Sequence, residues 1–400
     1  VVAVSARLRA GAALLGPAFV AAIAYVDPGN VATNTAAGAT YGYLLVWVLV
    51  VANVMAGLVQ YLSAKLGLVT GKSLPEAVRD HLPRPVRLAY WGQAEVVAMA
   101  TDLAEVLGGA IALHLLFDLP LLLGGVITGV VSTLLLLVQD RRGQKPFERV
   151  ITTMLVVIAV GFVAGLFVAP PSVAGAVSGL VPRFDGANSV LLAAGMLGAT
   201  VMPHAVYLHS ALARDRHGRN PSVLGATKVD VVVAMVLAGA VNMAMLLLAA
   251  SALQGREGVD TLEGAHAAVG STLGGGIALL FALGLLASGF ASTAVGCYAG
   301  AVVMDGLLRV RIPLLARRSV TLVPALAILA FGVDPTFALV LSQVVLSFGI
   351  PFALVPLVWL TARRSVMGSH TNRRVVTHAA WAVAFAVVVL NVALIYLTVA

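Results

Sequence analysis

Two short runs in this 400-residue chain combine a helix breaker with atoms able to hold a cation: Asp27-Pro28-Gly29-Asn30 and Met202-Pro203-His204, each inside a long apolar stretch. Proline lacks an amide hydrogen and clashes with the carbonyl four residues back, so Pro28 deprives the Ala24 carbonyl of its helical donor, and Pro203 does the same to Ala199. The residue before a proline is pushed out of helical dihedrals. Gly29 eases unwinding in the first run, as Gly195 and Gly198 do just ahead of the second. Facing each other, the breaks offer the Asp27 carboxylate, the Asn30 amide oxygen, the Ala24 and Ala199 carbonyls and the Met202 thioether. One carboxylate among neutral oxygens suits a cation. The sulfur narrows the choice, because Mg²⁺ and Ca²⁺ gain little from a thioether whereas Mn²⁺, Fe²⁺ and softer ions accept it. Most methionines in apolar helices only pack; Met202 stands apart because it adjoins the breaking proline.

A second constellation lies on one helix. Glu95, Asp102 and Glu105 are offset by seven and three residues, and at 100° per residue they project within about 80° of one another as one acidic stripe. A single carboxylate at the breaks cannot neutralise a divalent ion, so a stripe of titrating groups suggests a proton path. The plainer reading is a set of ion pairs with Arg317 and Arg318. Both hold together, since a carboxylate that passes a proton needs a charged neighbour to set its affinity. His204 and His209 are ambiguous between metal ligand and proton or gating group.

These groups must be positioned by elements that live in lipid. Hydrophobic residues make up 60% of the chain and charged ones 10%, against about 25% charged in soluble domains. Eleven apolar helices are expected, each long enough for a hydrocarbon core of about 30 Å. They run Ala12 to Thr40, Tyr43 to Leu68, Val86 to Phe117, Leu119 to Val138, Phe147 to Val168, Asn188 to Ala213, Val229 to Leu253, Leu273 to Val303, Val320 to Phe331, Thr336 to Leu360 and Val375 to Val399. The ninth has the least defined start, which can fall before Arg317. The first run is too long for a cleaved signal peptide, contains an acid and leads straight into further spans.

With a cytoplasmic N-terminus, 23 of the 25 Lys and Arg residues fall on the inner side and only Arg183 and Arg256 outside. That asymmetry is what the positive-inside rule requires. It places the C-terminus outside, and it explains the net charge of +8 without nucleic acid. Cys297 is the single cysteine, so a disulfide framework and a cysteine metal cluster are excluded. Gly-x-x-x-Gly pairs at Gly125/Gly129, Gly161/Gly165 and Gly296/Gly300 are read as packing within one bundle rather than as a dimer face.

The two breaks sit at comparable depth, five spans apart. An odd number of spans makes the second set of five cross in the opposite direction to the first, which is the inverted-repeat plan of secondary transporters, with the site near the midplane. The expected domain is therefore one transporter unit over residues 1–400. Its first repeat runs over 12–168, its second over 188–360, and an extra helix over 375–399.

Together Gly16-Pro17-Ala18-Phe19, the run from Ala24 to Asn30, Gln93-Ala94-Glu95, Thr101-Asp102-Leu103-Ala104-Glu105 and Met202-Pro203-His204 resemble the signature of the Nramp family. The resemblance is to the bacterial manganese-importing branch, and it runs from about Gly16 to the tenth helix. It implies an all-α, LeuT-like fold with broken first and sixth helices and proton-coupled import of Mn²⁺, Fe²⁺ and similar ions. It implies a metal site of Asp27, Asn30, Met202 and the Ala24 or Ala199 carbonyl, joined by Gln343 in some states. It also implies a proton route through Asp102, Glu105 and the pair Arg317 and Arg318, with Glu95 and His204 nearby.

The expected location is the cytoplasmic membrane, with lipid, metal ions and protons as partners, no resident cofactor and no obligatory protein partner. A sodium-coupled amino-acid symporter of the same plan is the chief rival, and it would place a hydroxyl-rich sodium site and a glycine-rich anion cradle at the breaks. An intramembrane metalloenzyme would need a stronger ligand set, such as His-Glu-x-x-His, which the sequence lacks.

Overall fold

Proline divides the first span where its chemistry requires. In the computed structural model, which describes residues 16–256, 258–259 and 261–399, span 1 is a helix Pro17–Ile23, one 3₁₀ turn Ala24–Val26, an extended Asp27 and a second helix Pro28–Tyr41. Span 6 is divided in the same way into Gly186–Thr200 and Pro203–His217, with Met202 extended between them. The expected start of the first helix at Ala12, and the basic residues Arg7 and Arg9, lie outside the described residues.

The other spans are Val46–Thr70 (span 2), Arg84–Phe117 (span 3), Leu121–Arg142 (span 4) and Gln144–Val163, prolonged by a 3₁₀ turn Ala164–Phe167 (span 5). They continue with Leu224–Ala252 (span 7), Gly275–Leu308 (span 8), Leu314–Ala330 (span 9), Pro335–Thr361 (span 10) and Arg374–Val399 (span 11). Among the described residues, nine helices are long and apolar enough to cross a membrane. The divided first span and the 17-residue span 9 complete eleven. Lipid-facing sides carry exposed Val54, Leu134, Val156, Val232 and Phe385, as a bundle solvated by acyl chains requires.

Several boundaries differ from expectation for local reasons. Leu273 does not open span 8; it ends a separate helix, Leu262–Leu273, because Gly274 follows with φ +92° and stops it. Span 4 starts at Leu121, after the N-cap Pro120. Span 9 starts at Leu314, so Arg317 and Arg318 lie inside it. Short helices Leu74–Arg79, Val173–Ser178 and Arg364–Met367 were not anticipated.

Helix pairing repeats on exchange of the two halves. The second half of span 1 packs on span 7 as the second half of span 6 packs on span 2. Span 3 packs on span 10 as span 8 packs on span 5, and spans 3 and 8 pack on each other. These relations are those of a five-plus-five inverted repeat. The glycine pairs pack inside the bundle: Gly125 and Gly129 against Leu329 and Leu322 of span 9, Gly161 against Gly284 of span 8, and Gly165 against Leu248 of span 7. Gly296 and Gly300 make room for the side chains of Glu105 and Arg317.

Candidate metal centre and its polar surroundings

Asp27 caps the helix that Pro28 begins. Its φ of −72° and ψ of 170° are extended, the geometry that a following proline favours. The Asp27 Oδ1 accepts from the Asn30 amide at 2.7 Å and from Asn30 Nδ2 at 2.8 Å. Asn30 Nδ2 also donates to the Ala199 carbonyl at 2.9 Å, the very carbonyl that Pro203 leaves without its helical donor. One asparagine therefore ties the two breaks together across 169 residues of sequence.

Gln343 reaches the same place, and Met202 and Ala24 lie within the two breaks. The Gln343 side chain lies against Gly29, and its carbonyl lies against Gly198, so span 10 touches both breaks. Met202 is the N-cap of the second half of span 6. Ala24 sits in the 3₁₀ turn, four residues before Pro28. Asp27, Asn30, Ala24, Ala199, Met202 and Gln343 are each 0% exposed. Within this sealed volume, Asp27 Oδ2, Asn30 Oδ1 and Gln343 Oε1 have no hydrogen-bond partner among the described residues. Leaving one buried acceptor unsatisfied costs about 1–3 kcal/mol, and a cation is the partner that would satisfy all three. No group of three or more His, Cys, Asp or Glu residues suited to a metal occurs among the described residues; here the donors are one carboxylate, two amides, backbone and sulfur.

The acidic stripe of span 3 faces spans 8 and 9. Glu95 forms a two-pronged pair with Arg317, at 2.7 Å to Nη2 and 3.2 Å to Nη1. Asp102 pairs with Arg318. Glu105 packs against Gly296, and neither of its oxygens has a hydrogen-bond partner among the described residues. The charges that act on it are those of Asp102, Asp27 and Arg318. His204 turns toward the stripe, its Nδ1 3.3 Å from Thr101 Oγ1, and shares a small cleft with Gln93, Glu95 and Tyr207. Beyond that cleft Arg317 borders a cavity of about 400 Å³, lined also by Glu76, Arg214 and Asp305. Ion pairs and a chain of titrating groups are thus present in the same stripe.

A further polar network contains His209 together with residues that the sequence did not mark. His209 Nδ1 is 2.7 Å from Gln60 Oε1, Gln60 Nε2 donates to the Tyr25 hydroxyl at 2.5 Å, and Asn242 Nδ2 donates to the Tyr25 carbonyl at 2.6 Å. Ser288 donates to the Val26 carbonyl at 2.6 Å. These groups hold the unwound turn beside Asp27. The only signal in the sequence was a polar residue within an apolar span, repeated in spans 2, 7 and 8.

At the end rich in basic loops, the first half of span 1 and the second half of span 6 are tied down. Asp230 of span 7 accepts from the amides of Gly16 and Ala18 at 3.1 and 3.0 Å. Ser210 accepts from the Leu74 amide at 2.7 Å, and Arg214 pairs with Glu76.

Residues 18–397 match the family described as Nramp, natural resistance-associated macrophage protein-like. The chain is 64% identical over 392 residues to a divalent metal cation transporter MntH of Mycobacterium tuberculosis, covering 96% of this chain and 92% of that protein. It is 50% identical over 383 residues to a protein of the same description from Klebsiella pneumoniae, covering 95% and 92%. The crystal structure of a manganese transporter of Eremococcus coleocola superposes with a TM-score of 0.86 at 31% identity, covering 96% of this chain and 86% of that one. The structure of MhsT with L-phenylalanine gives a TM-score of 0.63 at 13% identity, covering 95% and 98%, a likeness of fold alone.

Proposed function

The chain belongs to the Nramp family, and from that premise we propose that it imports divalent transition-metal ions, Mn²⁺ and Fe²⁺ among them, by alternating access with protons as the coupling ion. It is a transporter and not an enzyme. The observation that carries the reading is the buried cluster at the two breaks, where Asp27 Oδ2, Asn30 Oδ1 and Gln343 Oε1, a single carboxylate and two amides, have no hydrogen-bond partner among the described residues. The Met202 thioether in the same break favours Mn²⁺ and Fe²⁺ over Mg²⁺ and Ca²⁺.

Asp27 is the ligand that must give up a proton when a cation arrives, since a carboxylate binds metal only when ionised. Asn30 and the Ala199 carbonyl now bond to each other; separating the two breaks releases both, which couples ion binding to the relative position of spans 1 and 6. Glu105, within electrostatic reach of Asp27, is the natural first acceptor of the displaced proton. Asp102 with Arg318 and Glu95 with Arg317 carry it onward, past His204, to the basic end of the bundle. That end faces the cytoplasm if the asymmetry of Lys and Arg sets the orientation, which puts the N-terminus inside, the C-terminus outside and the chain in the cytoplasmic membrane.

Proteoliposomes containing a pH dye test this. The parent is expected to show saturable Mn²⁺ uptake with acidification of the lumen, and Asp27→Asn neither. Uptake indifferent to Asp27 would remove the site from the mechanism and reopen the amino-acid symporter.

A further inference from the structure

At the basic end of the bundle, spans 3 and 10 part to leave an apolar cleft of about 300 Å³. Val86 and Tyr90 of span 3 form one wall, and Val355, Pro356 and Trp359 of span 10 the other. Val86 is 45% exposed and Val355 37%, so the cleft opens on the outer surface of the bundle.

Arginines stand next to this cleft. The Arg363 guanidinium stacks 3.6 Å above the Trp359 ring. Arg84 and Arg87 belong to the first turn of span 3 and flank Val86 in sequence. Among the described residues none of these three arginines is in an ion pair, and no carboxylate lines the cleft. An apolar slot with one guanidinium stacked on its wall and two more arginines within two residues of its lining is complementary to an amphiphile with a negatively charged head, and basic pockets between spanning helices bind such lipids.

We propose that this cleft holds one anionic glycerophospholipid. Arg84, Arg87 and Arg363 take its phosphate, and an acyl chain lies along Val86, Tyr90, Val355 and Trp359. A zwitterionic lipid offers the same tail, but its ammonium group finds no carboxylate there. Span 3 carries the acidic stripe and span 10 carries Gln343, so the lipid braces the helix of the proton route against a helix of the metal site.

Native mass spectrometry of the full chain, purified in detergent and titrated with phosphatidylglycerol or with phosphatidylcholine of the same acyl chains, tests the proposal. The parent is expected to bind its first phosphatidylglycerol at least about tenfold more tightly than phosphatidylcholine. The triple variant Arg84→Gln, Arg87→Gln, Arg363→Gln should lose that preference. Val355→Trp, which fills the slot and leaves the arginines intact, should lower the affinity for both lipids, and it carries the test if the triple variant does not fold. Arg141→Gln with Arg142→Gln, in the last turn of span 4, should change nothing. Equal binding of the two lipids by the parent, or parent-like binding by the folded variants, overturns the proposal. Displacement of phosphatidylglycerol by millimolar inorganic phosphate overturns it also, since the cleft would then be a free-anion site.

Discussion

At the scale of single residues, the arrangement separates selectivity from coupling. Met202 is the one soft donor at the breaks, so Met202→Ala should keep Mn²⁺ uptake while weakening discrimination against Ca²⁺ by about tenfold, equivalent to about 1.4 kcal/mol. Competition of Ca²⁺ with Mn²⁺ uptake in vesicles measures this, and an unaltered competition curve would remove sulfur from the account of selectivity. Glu105 has no cationic hydrogen-bond partner, whereas Asp102 and Glu95 each hold an arginine. Glu105→Gln should therefore uncouple the carrier, with Mn²⁺ entering and luminal acidification reduced severalfold. Acidification that stays proportional to metal uptake in this variant would leave Glu105 a packing residue. Asp102→Asn tests the next position in the same assay, and it also strands Arg318 as a buried unpaired charge, for which about 3–5 kcal/mol of destabilisation is expected.

At the scale of elements, the breaks were legible in the sequence and much of what supports them was not. Proline leaves an unambiguous mark, because the amide it lacks names the carbonyl that must find another partner; Pro203, Ala199 and Asn30 bear this out. The stripe of span 3 was equally open to reading, because one helix carries all three acids at fixed angular offsets. Gln343 was reached only through family resemblance: a lone glutamine in an apolar helix has no partner spacing to betray it. The network of His209, Gln60, Tyr25 and Asn242 draws on four separate segments, and only tertiary packing brings them together. Short helices such as Leu74–Arg79 escaped notice because six residues show no periodicity. That helix has a capping box, with Ser73 and Glu76 bonding each other's amides, and it supplies a pH prediction outside the spans. Burial alone would raise the Glu76 carboxyl, but the Ser73 bonds and the Arg214 charge outweigh it and hold the group below the ordinary glutamate range. A lowered folded value contributes stability that is complete above the unfolded value of about 4.3 and is lost as pH falls through the folded one. Glu76→Gln should thus cost on the order of 1 kcal/mol at neutral pH, and thermal unfolding of parent and variant should converge in strong acid. A deficit of equal size at both extremes would assign the effect to packing.

At the scale of the whole molecule, the exchange of helix pairings between halves means that one break is the counterpart of the other, and the side on which each opens depends on orientation. The native thiol is buried, so labelling can report topology against a nearly silent background. Asp185→Cys, before span 6, should react with an impermeant maleimide from the outside of intact cells, and Arg142→Cys, at the end of span 4, only in inverted vesicles; the reverse pattern would turn the molecule over. The site's possession of a single carboxylate has an electrical consequence. In the proposed cycle, a divalent ion bound at Asp27 gives the centre one net positive charge, and its release with Asp27 ionised leaves one net negative charge. The ionised pairs Asp102–Arg318 and Glu95–Arg317 are each neutral, so a voltage that is negative inside performs work of about 2.3 kcal/mol per charge per 100 mV chiefly on the centre itself. It draws the loaded centre inward and drives the unloaded one back outward, so a single aspartate lets one polarity of voltage favour both strokes of the cycle.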